Sequence, residues 1–366
     1  MVGGAKGSFI GPIHRMAVRM DDLADLVAGC FSRDSRKNKA TSSRYHLDAS
    51  RVYPDWRRLI AAEKDKIDFV TICTTNESHY PIARAALLAN LDVFCEKPLS
   101  LTVREAKTLA RLAAKKKRVL GIPFTYLGYP SIKLARDLVR QGDLGRIDKV
   151  VIEYLQGSFR KQNFSQAMLS SRNWKMNPQI AGPSCVLADI GVHAFSLIEY
   201  VTGLEAETLL ADLSSFAQGN CLDDDASVLL RFKGGAKASL VASKIATGEE
   251  NSIRLRVYGT KASLFWEHET GNQVMVKTPV GQTIIYTRNS EAMNMRSPLA
   301  HSSTRFPAGH PEGFVEAMAN LYDEFVTSVL TRKKSDCPGP CEGVRSIRFV
   351  EAALKSAHRG CKWTKI

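Results

Sequence analysis

The feature that most constrains this chain is the stretch Leu91–Ser100, LDVFCEKPLS, taken together with Ala188-Asp189-Ile190-Gly191-Val192-His193 further along. The first places Lys97 at the end of a short apolar strand, where an open α/β sheet leaves its ligand crevice. In the second, the Asp189 carboxylate and the His193 imidazole are four residues apart, hence on one face if the segment is helical. A lysine, an aspartate and a histidine facing one substrate suffice to take a proton from a hydroxyl. The expectation is that Lys97, Asp189 and His193 are the catalytic residues, with a helix N-cap and a buried, satisfied histidine as the bland alternative for Asp189 and His193.

The rest of the N-terminal half reads as the frame for such a site. A glycine-rich turn, Gly3-Gly4 to Gly7, precedes a helical pattern from Ile10 to Met20, and an apolar run, Leu26 to Phe31, ends in Ser32-Arg33-Asp34. Strand, glycine turn, helix and strand in that order build a dinucleotide fold, in which glycines let backbone amides approach a pyrophosphate at a helix N-terminus. The glycines depart from the strict G-x-G-x-x-G spacing, and the strand ahead of them is only Met1 and Val2, where strands usually run about five or six residues. Either the true start lies upstream or the domain tolerates a stunted strand.

At the end of the second strand an acid selects NAD by binding the ribose, whereas basic residues accommodate a 2′-phosphate. Ser32 and Arg33 with Arg36 and Lys37 lean toward NADP, and a shift of one residue restores Asp34 as the NAD-selecting acid, so both cofactors stay open. A helix is expected from Asp55 to Glu63, and IDFVTIC (Ile67 to Cys73) reads as a buried strand. Thr74, Thr75 and Asn76 follow at its edge, then His79 in a helix through Ala89. These polar side chains suit a cofactor ribose or diphosphate, and capping the helix is their bland alternative. Gly3, Gly4, Gly7, Phe9, Ile10, Ser32, Arg33, Thr74, Thr75, Asn76, His79, Glu96 and Lys97 are the expected cofactor-binding residues.

Beyond a helix from about Val103 to Lys115, a strand from Arg118 to Pro123 and a helix from Pro130 to Gln141, the pattern changes at Val150. Alternating runs follow, VVIEYLQ, LLADLSSF, ASVLLRF, KASLVASKI, IRLRVYG, ASLFWEH, QVMVK and QTIIYT, as in an antiparallel sheet. Two helices, about Pro311 to Leu330 and Glu342 to His358, close the chain. The expected fold is therefore a doubly wound parallel Rossmann sheet with a truncated first strand, residues 1–123. A mostly antiparallel open-sheet domain for substrate binding and oligomerisation, residues 124–366, follows it. One face of the second sheet is to be covered by the helix after Asp189, and the other serves subunit contact in a homodimer or homotetramer.

Composition sets bounds on partners. A net charge of +14 raises nucleic acid as a ligand, but the basic residues are dispersed and carry no aromatic interleaving, so no nucleic-acid partner is expected. No run spans a bilayer and no basic-then-apolar leader opens the chain, so no membrane partner and a cytoplasmic location are expected. Among eight cysteines only Cys337 and Cys341 are close in sequence, without a Cys/His pair at zinc spacing, so no structural metal is expected.

With these residues in hand, the chain resembles the Gfo/Idh/MocA family of NAD(P)-dependent oxidoreductases over nearly its whole length, through the glycine loop, EKP and DxGxH in that order. GSFIGPIHRMA, YLGYP, NWK followed by NP, and GHPEGFVEAMANLY resemble a branch of bacterial sugar and polyol dehydrogenases, including enzymes acting on glucosides and anhydrosugars. The resemblance implies that Lys97 contacts the reacting hydroxyl, that His193 is the general acid/base and that a cis bond before Pro98 orients the lysine. Thr74-Thr75-Asn76 replaces the more usual T-P-N, and Phe124-Thr125-Tyr126 stands where the branch more often has polar residues. Tyr126, Tyr129, Lys175 and His310 are candidates for binding a sugar or polyol, with Arg172 and Asn173 behind them. Two other functions remain open at this level: glycoside cleavage through a retained NAD, and a non-catalytic dinucleotide or sugar sensor.

Overall fold

The computed structural model describes residues 1–160, 174–217 and 219–366, which form two compact units. The first holds Met1–Pro123, residues 174–183 and Met318–Ile347. Its sheet is parallel throughout, in the order β1 (Val2–Gly3), β2 (Phe69–Cys73), β3 (Asp92–Cys95), β4 (Leu120–Gly121). β2 and β3 are buried almost end to end because helices cover both faces of such a sheet. The strand expected over 26–31 does not form. Only the bridges Val2↔Cys30 and Gly29↔Val52 appear, since the adjoining β1 is two residues long and offers no more ladder to pair with. Even so, residues 29–30 lie beside β1 on the side away from β2. The chain's order reverses at β1, the switch point where open α/β sheets bind ligands.

Helices α1 (Ile10–Arg19), α2 (Ser35–Arg44), α3 (Trp56–Glu63), α4 (Asn76–Leu88) and α5 (Val103–Lys116) link these strands. Local chemistry sets their ends. Asp55 accepts from the backbone N–H groups of Arg57 and Arg58 to start α3. Thr102 accepts from Glu105 N at 3.3 Å while Glu105 Oε2 accepts from Leu101 N, and α5 stops at Lys117 in the left-handed region. The core gathers around Phe94, whose ring lies 4.4 Å from Tyr322 and 4.9 Å from Phe325 of the helix Phe314–Thr331.

The second unit holds residues 124–160, Ser184–Ala317 and Arg348–Ile366. Its strands are β5 (Ile147–Leu155), β6 (Ala206–Ser214), β7 (Asp225–Phe232), β8 (Lys237–Ser243), β9 (Ser252–Gly259), β10 (Ser263–Glu267), β11 (Gln273–Lys277), β12 (Thr283–Thr287) and β13 (Thr364–Lys365). They form one nine-stranded sheet in the order β12-β11-β10-β9-β5-β8-β7-β6-β13, antiparallel except for the parallel pair β5·β8. Alternation decides its two faces. Val150, Ile152 and Tyr154 of β5 and Ala238, Leu240 and Ala242 of β8 are buried, and the helix Val192–Thr202 packs on β5, β8 and β9. Leu229 and Ile285 of the opposite face remain exposed. The expected fold class, a Rossmann sheet with a truncated first strand and a mostly antiparallel second sheet, is the observed one.

Candidate active site

In the first unit the expected cofactor residues gather at the carboxyl edge of the parallel sheet. Gly3 and Gly4 are buried with φ of 82° and 74°, and a Cβ on Gly3 would lie 2.5 Å from the Cys73 carbonyl oxygen. Only glycine permits that close approach. Gly7, at φ 93°, faces open space, and Phe9 beside it is 74% exposed where α1 is about to begin at Ile10. Thr74 Oγ1 is shielded from water, yet makes no hydrogen bond among the described residues. A polyhydroxylated, phosphate-bearing ligand fits both the open glycine loop and the orphaned hydroxyl.

Other expected contacts are engaged within the protein. Ser32 Oγ accepts from Asp34 N, and Asp34 Oδ1 accepts from Arg36 N at 2.9 Å and Lys37 N at 3.1 Å as the cap of α2, while Arg33 is exposed. Thr75 donates to Glu77 Oε1 at 2.8 Å, and Asn76 Nδ2 donates to Ala181 O at 2.9 Å. The buried His79 ring lies between the carbonyls of Pro98 at 2.7 Å and Thr74 at 3.1 Å, and burial pushes its pKa down. His79 thus ties the EKP turn to the edge of β2.

The EKP motif leaves β3 with a cis Lys97–Pro98 bond, as the resemblance implies. Glu96 Oε2 accepts from Lys97 N at 3.1 Å, and its other oxygen lies 2.9 Å from Nε2 of the buried His14 on α1. His14 Nδ1 is 2.7 Å from Tyr322 Oη, which in turn meets Thr71 Oγ1 at 3.2 Å. Burial opposes the charged imidazole, but the Cys73 sulfur and the Glu96 carboxylate beside it prevail and raise the His14 pKa to about 10. A buried imidazolium therefore joins the helix after the glycine loop to the residue before Lys97. Lys97 itself is half-buried.

In the second unit the DxGxH segment is not a plain α-helix. Leu187–Gly191 forms a π-helical turn that passes into the helix Val192–Thr202, a local widening that recurs at functional sites. Asp223, missed in the sequence, anchors its start. Its carboxylate accepts from Ser184 Oγ at 2.8 Å, Cys185 N at 2.8 Å and Leu187 N at 3.0 Å, and burial raises its pKa against these bonds.

Asp189 is no helix cap. Its Oδ2 accepts from Lys244 Nζ at 2.7 Å, and the Lys244 side chain is only 3% exposed. From Lys244 the polar contacts continue through Gln156 at 3.2 Å to Asn251, Tyr154 and Tyr126. His193, buried, meets the Tyr126 ring edge-on at 5.1 Å and that of Phe124 at 5.9 Å. Tyr126 thus packs against the Asp189–His193 segment. Tyr129 Oη lies 3.2 Å from His268 Nε2, with burial pushing the phenol up and the imidazole down. His310 sits on an exposed loop whose carbonyls are held by the buried Arg288. Lys175 belongs to the first unit, over the Trp174 ring, and Arg172 and Asn173 lie outside the described residues. No group of three or more His, Cys, Asp or Glu suited to a metal occurs among the described residues.

Comparison with known proteins places this geometry in a family. Residues 1–124 match the family model described as oxidoreductase family, NAD-binding Rossmann fold, and residues 132–265 match the GFO/IDH/MocA C-terminal domain. The chain is a Gfo/Idh/MocA oxidoreductase. An uncharacterized oxidoreductase of Bacillus subtilis is 31% identical over 100% of this chain and 95% of its own length. A levoglucosan dehydrogenase of Pseudarthrobacter phenanthrenivorans is 29% identical over 75% of each chain. The crystal structure of an inositol dehydrogenase homolog from Azotobacter vinelandii, complexed with NAD+, has a TM-score of 0.94 at 33% identity, covering 100% of this chain and 96% of that one. As a Gfo/Idh/MocA oxidoreductase, the chain has an NAD(P)-binding Rossmann domain, and its glycine loop and Thr74 are the features of the first unit that fit the dinucleotide.

Proposed function

We propose that this oxidoreductase transfers a hydride between a secondary hydroxyl of a sugar, glycoside or polyol and NAD(P), using Lys97, Asp189 and His193. The observation that carries the reading is the second unit's polar network. Around the DxGxH pair a carboxylate, a buried ammonium, two buried phenols and two amides hydrogen-bond one another, and the part-exposed Asp189 carboxylate is an acceptor suited to a molecule rich in hydroxyls. Relatives named as levoglucosan and myo-inositol dehydrogenases support that substrate class.

The bound nicotinamide cofactor supplies the hydride acceptor. His193 would take the hydroxyl proton while the hydrogen on the same carbon leaves with its bonding pair as hydride to the cofactor, and the electrons of the broken O–H bond complete the carbonyl. Lys97 stabilises the alkoxide charge that develops on the oxygen. Asp189, held by Lys244, accepts from a neighbouring hydroxyl and fixes the sugar's orientation. Tyr126 and Tyr129 line the sugar side, with Lys175 and His310 as further contacts, and Phe9, Ile10, Ser32, Arg33, Thr75 and Asn76 lie along the dinucleotide. We also read the chain as a cytoplasmic homo-oligomer. Among its described residues no helix is long and apolar enough to cross a membrane, and its eight cysteines are free thiols.

The test is a panel of polyols, aldoses and glycosides offered with NAD+ and with NADP+, following nicotinamide absorbance. Turnover of at least one polyol is expected, and Lys97→Ala and His193→Ala are expected to abolish it while leaving NADH or NADPH affinity nearly intact. Either variant retaining wild-type turnover overturns the roles assigned here. Tight cofactor binding with no turnover on any substrate favours the sensor reading, and cleavage without net redox change favours the glycoside-cleaving one.

A further inference from the structure

The buried cation beside Asp189 carries an inference of its own, which rests on the sugar and polyol reading above. Lys244 follows β8 at the parity that points Ala238, Leu240 and Ala242 into the unit, so its ammonium is carried inward with them. A lysine is almost never fully buried unless it is paired. Here Nζ donates to Asp189 Oδ2 at 2.7 Å and to Gln156 Oε1 at 3.2 Å, and it lies 5.5 Å from the centroid of the Phe159 ring. Burial opposes its charge, but Asp189, Cys185 and Asp223 outweigh burial and raise its pKa.

An ammonium has hydrogens to give and no lone pair to receive with, so it fixes the polarity of everything beyond it. Because Gln156 must turn its oxygen to Lys244, its amide nitrogen points at Asn251 Oδ1, 2.8 Å away. That oxygen also accepts from Tyr154 Oη at 2.8 Å, which leaves Asn251 Nδ2 to donate to Tyr126 Oη at 3.1 Å. Tyr154 has given its only hydrogen to Asn251, so across the 2.6 Å contact it is Tyr126 that donates to Tyr154. The network therefore has a single direction, set at Lys244. It ends in two acceptors: the Asp189 carboxylate, four residues before His193, and the remaining lone pair of Tyr126, whose ring meets His193.

We propose that Lys244 is the positioning residue of this site, keeping Asp189 an ionised acceptor and setting the network's polarity, so that the site receives substrate hydroxyls as hydrogen-bond donors. Lys244 acts through Asp189 and Gln156 and touches no reacting atom. The titratable groups that share its surroundings are Asp189, Cys185 and Asp223, with Tyr126 and Tyr154 facing Asp189 and His193 next to Tyr126. Without the ammonium the carboxylate loses its stabilising charge, so its proton affinity rises and the acid limb of activity moves to higher pH.

The experiment compares wild type, Lys244→Met and Lys244→Gln with Asp189→Asn and the double variant Lys244→Met/Asp189→Asn on a polyol the wild type oxidises. Calorimetric NAD(P)H titration and thermal melts accompany the kinetics. Lys244→Met is expected to lower kcat/KM roughly tenfold or more and to move its acid limb upward, with cofactor affinity unchanged. The double variant is expected to be no slower than Asp189→Asn, because Lys244 acts through that carboxylate. If Lys244→Met does not fold, Lys244→Gln, which keeps a donor but no charge, must show the same upward shift. Wild-type kcat/KM and pH profile in the folded variants, or losses that multiply in the double variant, overturn the proposal. Absence of polyol turnover by the wild type overturns the functional reading, and the role of Lys244 falls with it; a wild-type enzyme unaffected by Lys244→Met overturns this inference alone.

Discussion

Removing the buried imidazolium of the first unit gives a stability change whose sign and pH range follow from the structure. His14 is 1% exposed and sits 2.9 Å from the Glu96 carboxylate, and its pKa is raised from 6.5 to about 10. A folded-state pKa above the unfolded value means that the folded chain binds the proton more tightly. The bonus is therefore complete below about pH 6.5, shrinks by about 1.4 kcal/mol per pH unit above it, and is gone once pH passes the folded pKa. Breaking a buried pair by removing one partner costs roughly 3–5 kcal/mol, much of it from the carboxylate left behind. His14→Asn is therefore expected to lower unfolding free energy at pH 7 by about that amount. The difference between wild type and variant should narrow as pH rises toward 10, where wild-type His14 is itself losing its proton. Urea unfolding of both proteins at closely spaced pH values measures it, and the subtraction removes every group the two share. A difference that stays constant between pH 7 and 10, or a variant as stable as wild type at pH 7, refutes the buried-imidazolium argument.

Three further substitutions separate folding from binding. Gly3→Ala puts a Cβ 2.5 Å from the Cys73 carbonyl and is expected to lower the melting temperature sharply, whereas Gly7→Ala, which faces open space at φ 93°, should cost only the backbone strain of roughly 1–3 kcal/mol but weaken NAD(P)H binding, both read by thermal melts and calorimetry. Asp223→Asn cannot accept all three of the bonds that start the DxGxH segment, so a loss of roughly 1–3 kcal/mol and a fall in kcat/KM with cofactor affinity unchanged are expected.

Much of this arrangement is legible in the sequence. The apolar run ending in EKP, the glycine turn and the switch to period-two runs at Val150 are local signals, and each marks the element it suggested. Helix α2, SRKNKATSSR, is not legible because it has no apolar stripe and is announced only by its Asp34 cap. The strand expected at 26–31 failed for a non-local reason, the brevity of the strand it should pair with. The spacing leaves Asp189 as a cap or a catalytic group, but its partner is the residue just after β8, which pairs with β5 in parallel, a register that no single sequence displays. A signal for Lys244 did exist. In KASLVASKI the alternation that buries Ala238, Leu240 and Ala242 continues to Lys244, and a charge at an inward position calls for a buried partner. Likewise Tyr154 shares the parity of Val150 and Ile152. His14 and Glu96 could not be paired by spacing, because α1 and β3 meet only through the folded sheet.

The transfer of a hydride from substrate to cofactor is followed through the hydrogen itself. A polyol deuterated at its secondary carbinol carbons is incubated with the enzyme and NAD+ or NADP+, and the mass of the reduced cofactor is determined. Direct hydride transfer requires that the reduced cofactor carry one deuterium from the substrate, and His193→Ala is expected to bind the cofactor but produce none. Reduced cofactor without deuterium, or labelled cofactor formed at the wild-type rate by His193→Ala, contradicts it.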